Sequence, residues 1–212
     1  NQVKNKGDLS LIKYTEKFDN IKLTTNSIKL NNVIINKKIK SLENKIKKSI
    51  DLAFERITKF HKKQTFKGFK FKDKLGNELG YKISPLDKIG VYVPGGTASY
   101  PSTLLMNSIP AMVAGVKNIY CVMPTPNGEI NAGVLYAAKK CKIKEIYSIG
   151  GPAAIAAVAY GTKKIKSVNK IVGPGNAYVA AAKKEVFGDV GIEGMTAGPS
   201  EVTIVCDKYS NP

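Results

Sequence analysis

The sequence is poor in the residues that most often carry nucleophilic catalysis and metal binding. Its 212 residues include one histidine and three cysteines. His61 lies among lysines, which is typical of a solvated helix. Cys121, Cys141 and Cys206 are widely spaced in or beside apolar runs, which indicates buried thiols in a reducing cytoplasm rather than disulfides. Neither H-E-x-x-H nor C-x-x-C occurs, so the sequence predicts no metal site formed by this chain alone.

Arginine is almost absent, although the net charge is +18. Arg56 is the only arginine, and arginine is the residue that makes bidentate contacts with phosphates and base edges. The lysines are spread along the first half of the chain instead of forming one block. This pattern favours a solvated helical surface and no nucleic-acid partner. A basic, non-enzymatic nucleic-acid-binding fragment remains the alternative from another class.

Long apolar runs and standard targeting or nucleotide motifs are also missing. No run is long enough to cross a bilayer, so no membrane partner is expected. The chain begins Asn1-Gln2-Val3 without a methionine or a signal peptide, which favours a start trimmed from a longer cytoplasmic protein. No G-x-G-x-x-G follows a predicted strand, no P-loop motif occurs, and no Ser–His–Asp set is credible.

Residues 1–88 are predicted to form an N-terminal, mainly helical lobe that is only part of a domain. Apolar residues at three- and four-residue steps predict helices over Gly7–Asp19 and Asn36–Lys63. The segment Ile21–Leu30 has weak extended character. Two further extended segments, Phe66–Leu75 and Leu79–Ser84, surround a turn at Gly76-Asn77.

From Ile89 onward, short apolar runs alternate with helical patterns. This alternation predicts a Rossmann-like α/β domain over residues 89–206, with a mainly parallel sheet and helices on both faces. Residues 207–212 would begin a further part. Strands are predicted at Ile89–Val93, Asn118–Met123, Glu145–Ile149, Lys170–Val172 and Val202–Cys206, and helices at Ser102–Ala114, Ile130–Cys141, Pro152–Gly161 and Pro174–Phe187.

Four of the predicted strands end in glycine- and proline-rich turns. The turns are Pro94-Gly95-Gly96, Pro124–Gly128, Gly150-Gly151-Pro152 and Gly173–Asn176. In a parallel sheet these turns share the carboxyl edge, where open α/β sheets bind ligands. Glycines allow close backbone approach, and the helix N-termini that follow favour negative charge. The turns indicate a ligand site, although they do not identify the ligand.

Several long stretches resemble histidinol dehydrogenase in the right order. They are G-D-L-S-L-I-K-Y-T-E-K-F-D, V-Y-V-P-G-G-T-A-S-Y-P-S-T-L-L-M, I-V-G-P-G-N-A-Y-V and A-G-P-S-E-V. The resemblance implies an NAD-dependent oxidoreductase that converts L-histidinol to L-histidine, through the aldehyde, in the last steps of histidine biosynthesis. It further implies a zinc ion that holds the substrate, and a homodimer with active sites drawn from both subunits.

The resemblance also implies site residues at individual positions. Tyr92 of Y-V-P-G-G and Asn176 of G-P-G-N would contact NAD, and Ser200 of A-G-P-S-E-V would contact substrate. The third NAD contact of the family is a glutamine in a G-G-A-Q turn. Here that position holds Ala153, which cannot supply a side-chain amide. We therefore expect weaker NAD binding than a glutamine would give.

The resemblance places the glutamate–histidine acid/base pair and the zinc ligands downstream of A-G-P-S-E-V. We therefore expect this chain to be the front half of the enzyme, with no catalytic residues and no metal ligands of its own, and to be inactive alone. A dehydrogenase of another small polar alcohol, such as sulfopropanediol, is the alternative within the same fold family. A translated gene fragment without activity is a third possibility.

Overall fold

A computed structural model describes residues 1–95, 100–193 and 207–210. Eight α-helices occur in this part of the chain: α1 Gln2–Lys6, α2 Asp8–Asp19, α3 Asn32–Lys40, α4 Asn44–His61, α5 Pro101–Val113, α6 Ala132–Lys140, α7 Gly151–Tyr160 and α8 Ala177–Glu185. Seven strands accompany them: β1 Phe69–Lys72, β2 Glu78–Tyr81, β3 Lys88–Tyr92, β4 Asn118–Met123, β5 Glu145–Ser148, β6 Lys170–Val172 and β7 Gly191–Ile192.

The central sheet has five parallel strands in the order β5-β4-β3-β6-β7. Its inner strands are buried on both faces, which explains why their sequences are continuous apolar runs without a polar alternation. The predicted α/β class with a parallel sheet is confirmed. Strand β7 was not predicted, and the predicted strand Val202–Cys206 lies outside the described residues.

Helices cover both faces of this sheet and bury two separate apolar cores. One core contains Tyr92, Val122 and Ile171 on the face covered by α7 and α8. The other contains Val91, Cys121 and residues of α5 and α6. Neighbouring residues of a strand belong to different cores, because successive side chains of an extended chain point to opposite faces of the sheet.

The helices of the N-terminal segment form outer layers on these cores. Helices α1 and α2 pack on α7, and α3 and α4 pack on α5 and α6. Ile39 and Ile50, from the predicted apolar stripe, are buried in the second core. The division of the chain at residue 88 stays a prediction, since these layers are in contact across it.

The predicted single helix over Asn36–Lys63 is wrong, because two helices are found there. The hydroxyl of Ser41 donates a hydrogen bond to the Lys38 carbonyl at 2.8 Å. This bond takes an acceptor that Leu42 would use in a continuous helix, and the Leu42 N–H bonds Ile39 instead. The chain turns here and α4 begins after Glu43.

The extended character of Ile21–Leu30 is found at its end. Leu30 donates to the Ile146 carbonyl, and Ser148 donates to the Ile28 carbonyl, both at 2.8 Å. Lys29 forms the antiparallel bridge opposite Tyr147, so this short segment covers the β5 edge of the sheet. The predicted extended pair farther along is the antiparallel hairpin β1–β2.

No helix in the part of the chain that the structure describes is both long enough and apolar enough to cross a membrane.

Candidate functional site at the carboxyl edge of the sheet

A cleft of about 780 Å³ lies between the carboxyl edge of the sheet and helices α1 and α2. The turns after β4 and β5 form its floor, and the first turn of α7 and the start of α8 also line it. Tyr92, Ala153 and Asn176 all line this cleft. The structure therefore brings together three of the four residues named from the sequence. Ser200 lies outside the described residues.

Tyr92 ends strand β3 and is almost fully buried, with 4% of its surface exposed. Its hydroxyl accepts a hydrogen bond from the Gly151 N–H at 3.1 Å. Burial raises the pKa of this hydroxyl, the Gly151 bond opposes the shift, and the nearby Asp19 carboxylate adds to it. The phenol is therefore neutral at physiological pH, and its own proton remains available for donation.

Ala153 lies in the first turn of α7, which begins directly at the edge of the sheet. Gly151, the first residue of this helix, has a φ of 60°, a conformation that favours glycine. Gly150 allows a similarly close approach, since a Cβ there would lie 2.3 Å from Pro124 Cβ. These glycines let the N-terminus of α7 approach the floor of the cleft, where the helix dipole favours an anion.

Asn176 is the N-cap of α8. Its side-chain oxygen accepts the Val179 N–H at 3.0 Å, as in an ordinary helix cap. The side chain of Asn176 is therefore a helix cap, in addition to lining the cleft. Because the cap uses the oxygen, the exposed amide NH₂ is the part of Asn176 that can donate to a ligand.

A buried lysine fixes the turn that carries Asn176. Lys183 Nζ donates to the Gly173 carbonyl at 2.5 Å and lies 3.2 Å from Glu193 Oε1. The same carboxylate oxygen accepts the Gly173 N–H at 2.5 Å. Both backbone groups of Gly173 are therefore held by one lysine–glutamate pair. Sequence reasoning missed Lys183, although its spacing from Val179 and Val186 places it on the buried stripe of α8.

Asp19 is the only charged side chain among the described residues that line the cleft. It is the last residue of α2, and sequence reasoning missed it as well. Phe18 and Tyr178 also border the cleft, and both aromatic side chains are mostly exposed. The cleft thus combines two helix N-termini, two hydrogen-bonding groups named from the sequence, one carboxylate and exposed aromatic rings.

A second groove, of about 830 Å³, lies beside the segment that bridges to β5. Its only carboxylate among the described residues, Glu145, already pairs with Lys29 at 2.6 Å. None of the predicted site residues lines it. Within residues 1–95, 100–193 and 207–210, no three His, Cys, Asp or Glu side chains come together in a way that could hold a metal ion.

The whole chain, residues 1–212, matches the family model described as histidinol dehydrogenase. The histidinol dehydrogenase of Pelagibacter ubique is 64% identical over 210 residues, which cover 99% of this chain and 48% of that protein. The Rhodopseudomonas palustris enzyme of the same name is 50% identical over 210 residues, with the same coverage of both chains.

A solved structure agrees with these relatives. The crystal structure of histidinol dehydrogenase from Elizabethkingia anophelis superposes with a TM-score of 0.88 at 39% sequence identity. The match covers 94% of this chain and 46% of that one. The chain therefore spans about half the length of the curated relatives that it matches.

Proposed function

The chain belongs to the histidinol dehydrogenase family, and we propose that it supplies the NAD-binding part of an oxidoreductase that converts L-histidinol to L-histidine. The observation that carries this proposal is the shared cleft. Tyr92, Ala153 and Asn176 are distant in sequence, yet they line one cavity at the carboxyl edge of a parallel sheet, where α/β folds bind nucleotides.

The residues of the cleft fit a dinucleotide. The N-termini of α7 and α8 lie at the same edge, and helix N-termini favour the negative charge of a pyrophosphate. The neutral hydroxyl of Tyr92 and the amide of Asn176 can each donate a hydrogen bond. When bound, NAD⁺ supplies the acceptor for the hydride that leaves the alcohol carbon.

The zinc ion enters the proposal only because the resemblance to the family implies it. The residues that the structure describes bring no ligand set together, so we derive no step through the metal. The same holds for the acid/base pair, the substrate contact proposed at Ser200 and the homodimer. We expect the 212-residue chain alone to give no NADH with histidinol above a heat-treated control, and clear NADH formation would contradict this.

The binding proposal can be tested by calorimetric titration with NAD⁺. Asn176→Ala should weaken binding about two- to tenfold, because it removes one hydrogen bond. Asn31→Ala is a matched control. Asn31 caps α3 with the same kind of bond, from the Val33 N–H at 2.7 Å, but does not line the cleft. Both variants should lose a similar free energy of unfolding, about 1 kcal/mol, whereas only Asn176→Ala should lose affinity for NAD⁺.

Ala153→Gln tests the same site in the opposite direction. It restores a side-chain amide to the first turn of α7, so NAD⁺ should bind about two- to tenfold more tightly. If this variant gains nothing and Asn176→Ala binds NAD⁺ as well as Asn31→Ala does, then the dinucleotide does not occupy this cleft.

A further inference from the structure

The cleft contains one carboxylate without a partner. The side chain of Asp19 makes no hydrogen bond and no ion pair in the described part of the chain. Five described carboxylates form ion pairs with lysines, and Asp19 is not among them. Glu16, one turn earlier on the same helix, does pair with a lysine, Lys22, at 3.9 Å.

The location of Asp19 is unfavourable for the folded protein in three ways. It is the last residue of α2, where the helix dipole repels negative charge. It is partly buried, and desolvation raises its pKa. It also lacks a compensating cation among the described residues. A charge that opposes folding and faces a cleft is typical of a residue kept for ligand binding.

The position of Asp19 relative to the sheet is fixed by its neighbour. Asn20 ends α2 in the left-handed conformation, with φ of 53°, and its side-chain NH₂ donates to Asn127 Oδ1 at 3.0 Å. Asn127 belongs to the turn after β4, at the carboxyl edge. This bond ties the end of α2 to the floor of the cleft, so the carboxylate is held at the site and does not swing with a free helix end.

We propose that Asp19 accepts the hydrogen bonds of the adenosine ribose hydroxyls of NAD and thereby selects NAD against NADP. Carboxylates that face a dinucleotide cleft commonly bind the ribose 2′-hydroxyl, whereas a 2′-phosphate requires a cation. No lysine or arginine is among the described residues of the lining. A 2′-phosphate would therefore meet the Asp19 carboxylate and no lysine or arginine side chain of the described lining. This inference depends on the proposed NAD site.

The test compares NAD⁺ and NADP⁺ by calorimetric titration of the 212-residue chain. The unsubstituted protein should bind NADP⁺ at least about 100-fold more weakly than NAD⁺. Asp19→Asn should weaken NAD⁺ binding about tenfold and leave NADP⁺ binding equal or tighter. The ratio of the NADP⁺ to the NAD⁺ dissociation constant should therefore fall at least about tenfold. Glu16→Gln makes the same change of charge on the same helix outside the cleft, and should leave both affinities unchanged.

Thermal unfolding of the free variants provides the second measurement. Asp19→Asn removes an unfavourable charge, so its Tm should equal or exceed that of the parent. Loss of NAD⁺ affinity without loss of stability separates a ligand contact from a structural role. An Asp19→Asn protein that discriminates as strongly as Glu16→Gln would overturn the inference and leave the NAD site intact. A parent chain that binds neither nucleotide would overturn the proposed function itself.

Discussion

Replacing Lys183 by methionine should loosen the turn that carries Asn176. The lysine is 5% exposed, although its side chain carries a charge. Its ammonium group donates to the Gly173 carbonyl at 2.5 Å and lies 3.2 Å from Glu193. Methionine has a similar length and no polar head, so it fills the space and removes both contacts.

The expected loss follows from what is left unpaired. A buried carbonyl without its donor costs about 1–3 kcal/mol. The Glu193 side chain is 38% exposed, so water takes over part of its solvation, and the full penalty of about 3–5 kcal/mol for breaking a buried ion pair does not apply. We expect a loss of about 2 kcal/mol, which for a chain of this size lowers Tm by about 4–8 °C.

Lys184→Met is the matched control, because Lys184 is the next residue of the same helix and is exposed. Unfolding in guanidinium, followed by circular dichroism, should show no change beyond about 0.5 kcal/mol for this variant. Combining Lys183→Met with Glu193→Gln should reveal a coupling of about 1 kcal/mol.

NAD⁺ affinity should fall in Lys183→Met and stay unchanged in Lys184→Met, since only the first releases the Gly173 turn. If the two lysine variants have the same stability within about 0.5 kcal/mol, the buried pair does not hold this turn, and the reasoning is refuted.

Burial raises the pKa of both Cys121 and Cys141 to about 12, so both thiols are protonated and unreactive at pH 8. Peptide mapping after treatment with a thiol reagent at pH 8 should find neither cysteine labelled until the protein is unfolded. Asp51→Asn should lower stability at pH 7 by about 0.5–1 kcal/mol. Hydrogen bonding to Lys140 lowers the pKa of that carboxyl, so its contribution is present above pH 4 and disappears as acid protonates it. Denaturant unfolding should therefore show the full difference between the two proteins at pH 7 and a smaller difference at pH 3. Gly173→Ala should lower the free energy of unfolding by more than about 2 kcal/mol in the same assay. The φ of Gly173 is 109°, and a Cβ there would lie 2.1 Å from a carbonyl oxygen of β3. A smaller loss of stability would mean that the turn adapts to the added methyl group.

The sequence alone determined the layers of the central sheet and the helices α5 to α8 that follow its strands. Strands such as Asn118–Met123 are buried on both faces, so they must be apolar throughout, and that run is visible without a structure. Gly128, Gly151 and Gly173 in the turns after the strands are equally local, because a positive φ constrains the residue type at its own position. The sequence did not predict that the helix ends near Ser41. The Ser41 hydroxyl bonds a carbonyl of its own helix, and this bond leaves the spacing of the apolar residues in the sequence unchanged.

Only the tertiary structure decided which side chains share the cleft. Tyr92 and Asn176 could be named because their motifs resemble those of a known family, but their proximity depends on β6 pairing with β3. Asp19 carries no motif that marks it as a site residue. It reaches the carboxyl edge because α2 packs on α7 and Asn20 bonds the turn after β4. Contacts between segments so far apart in the chain arise from packing of whole elements, and no local pattern of residues encodes them.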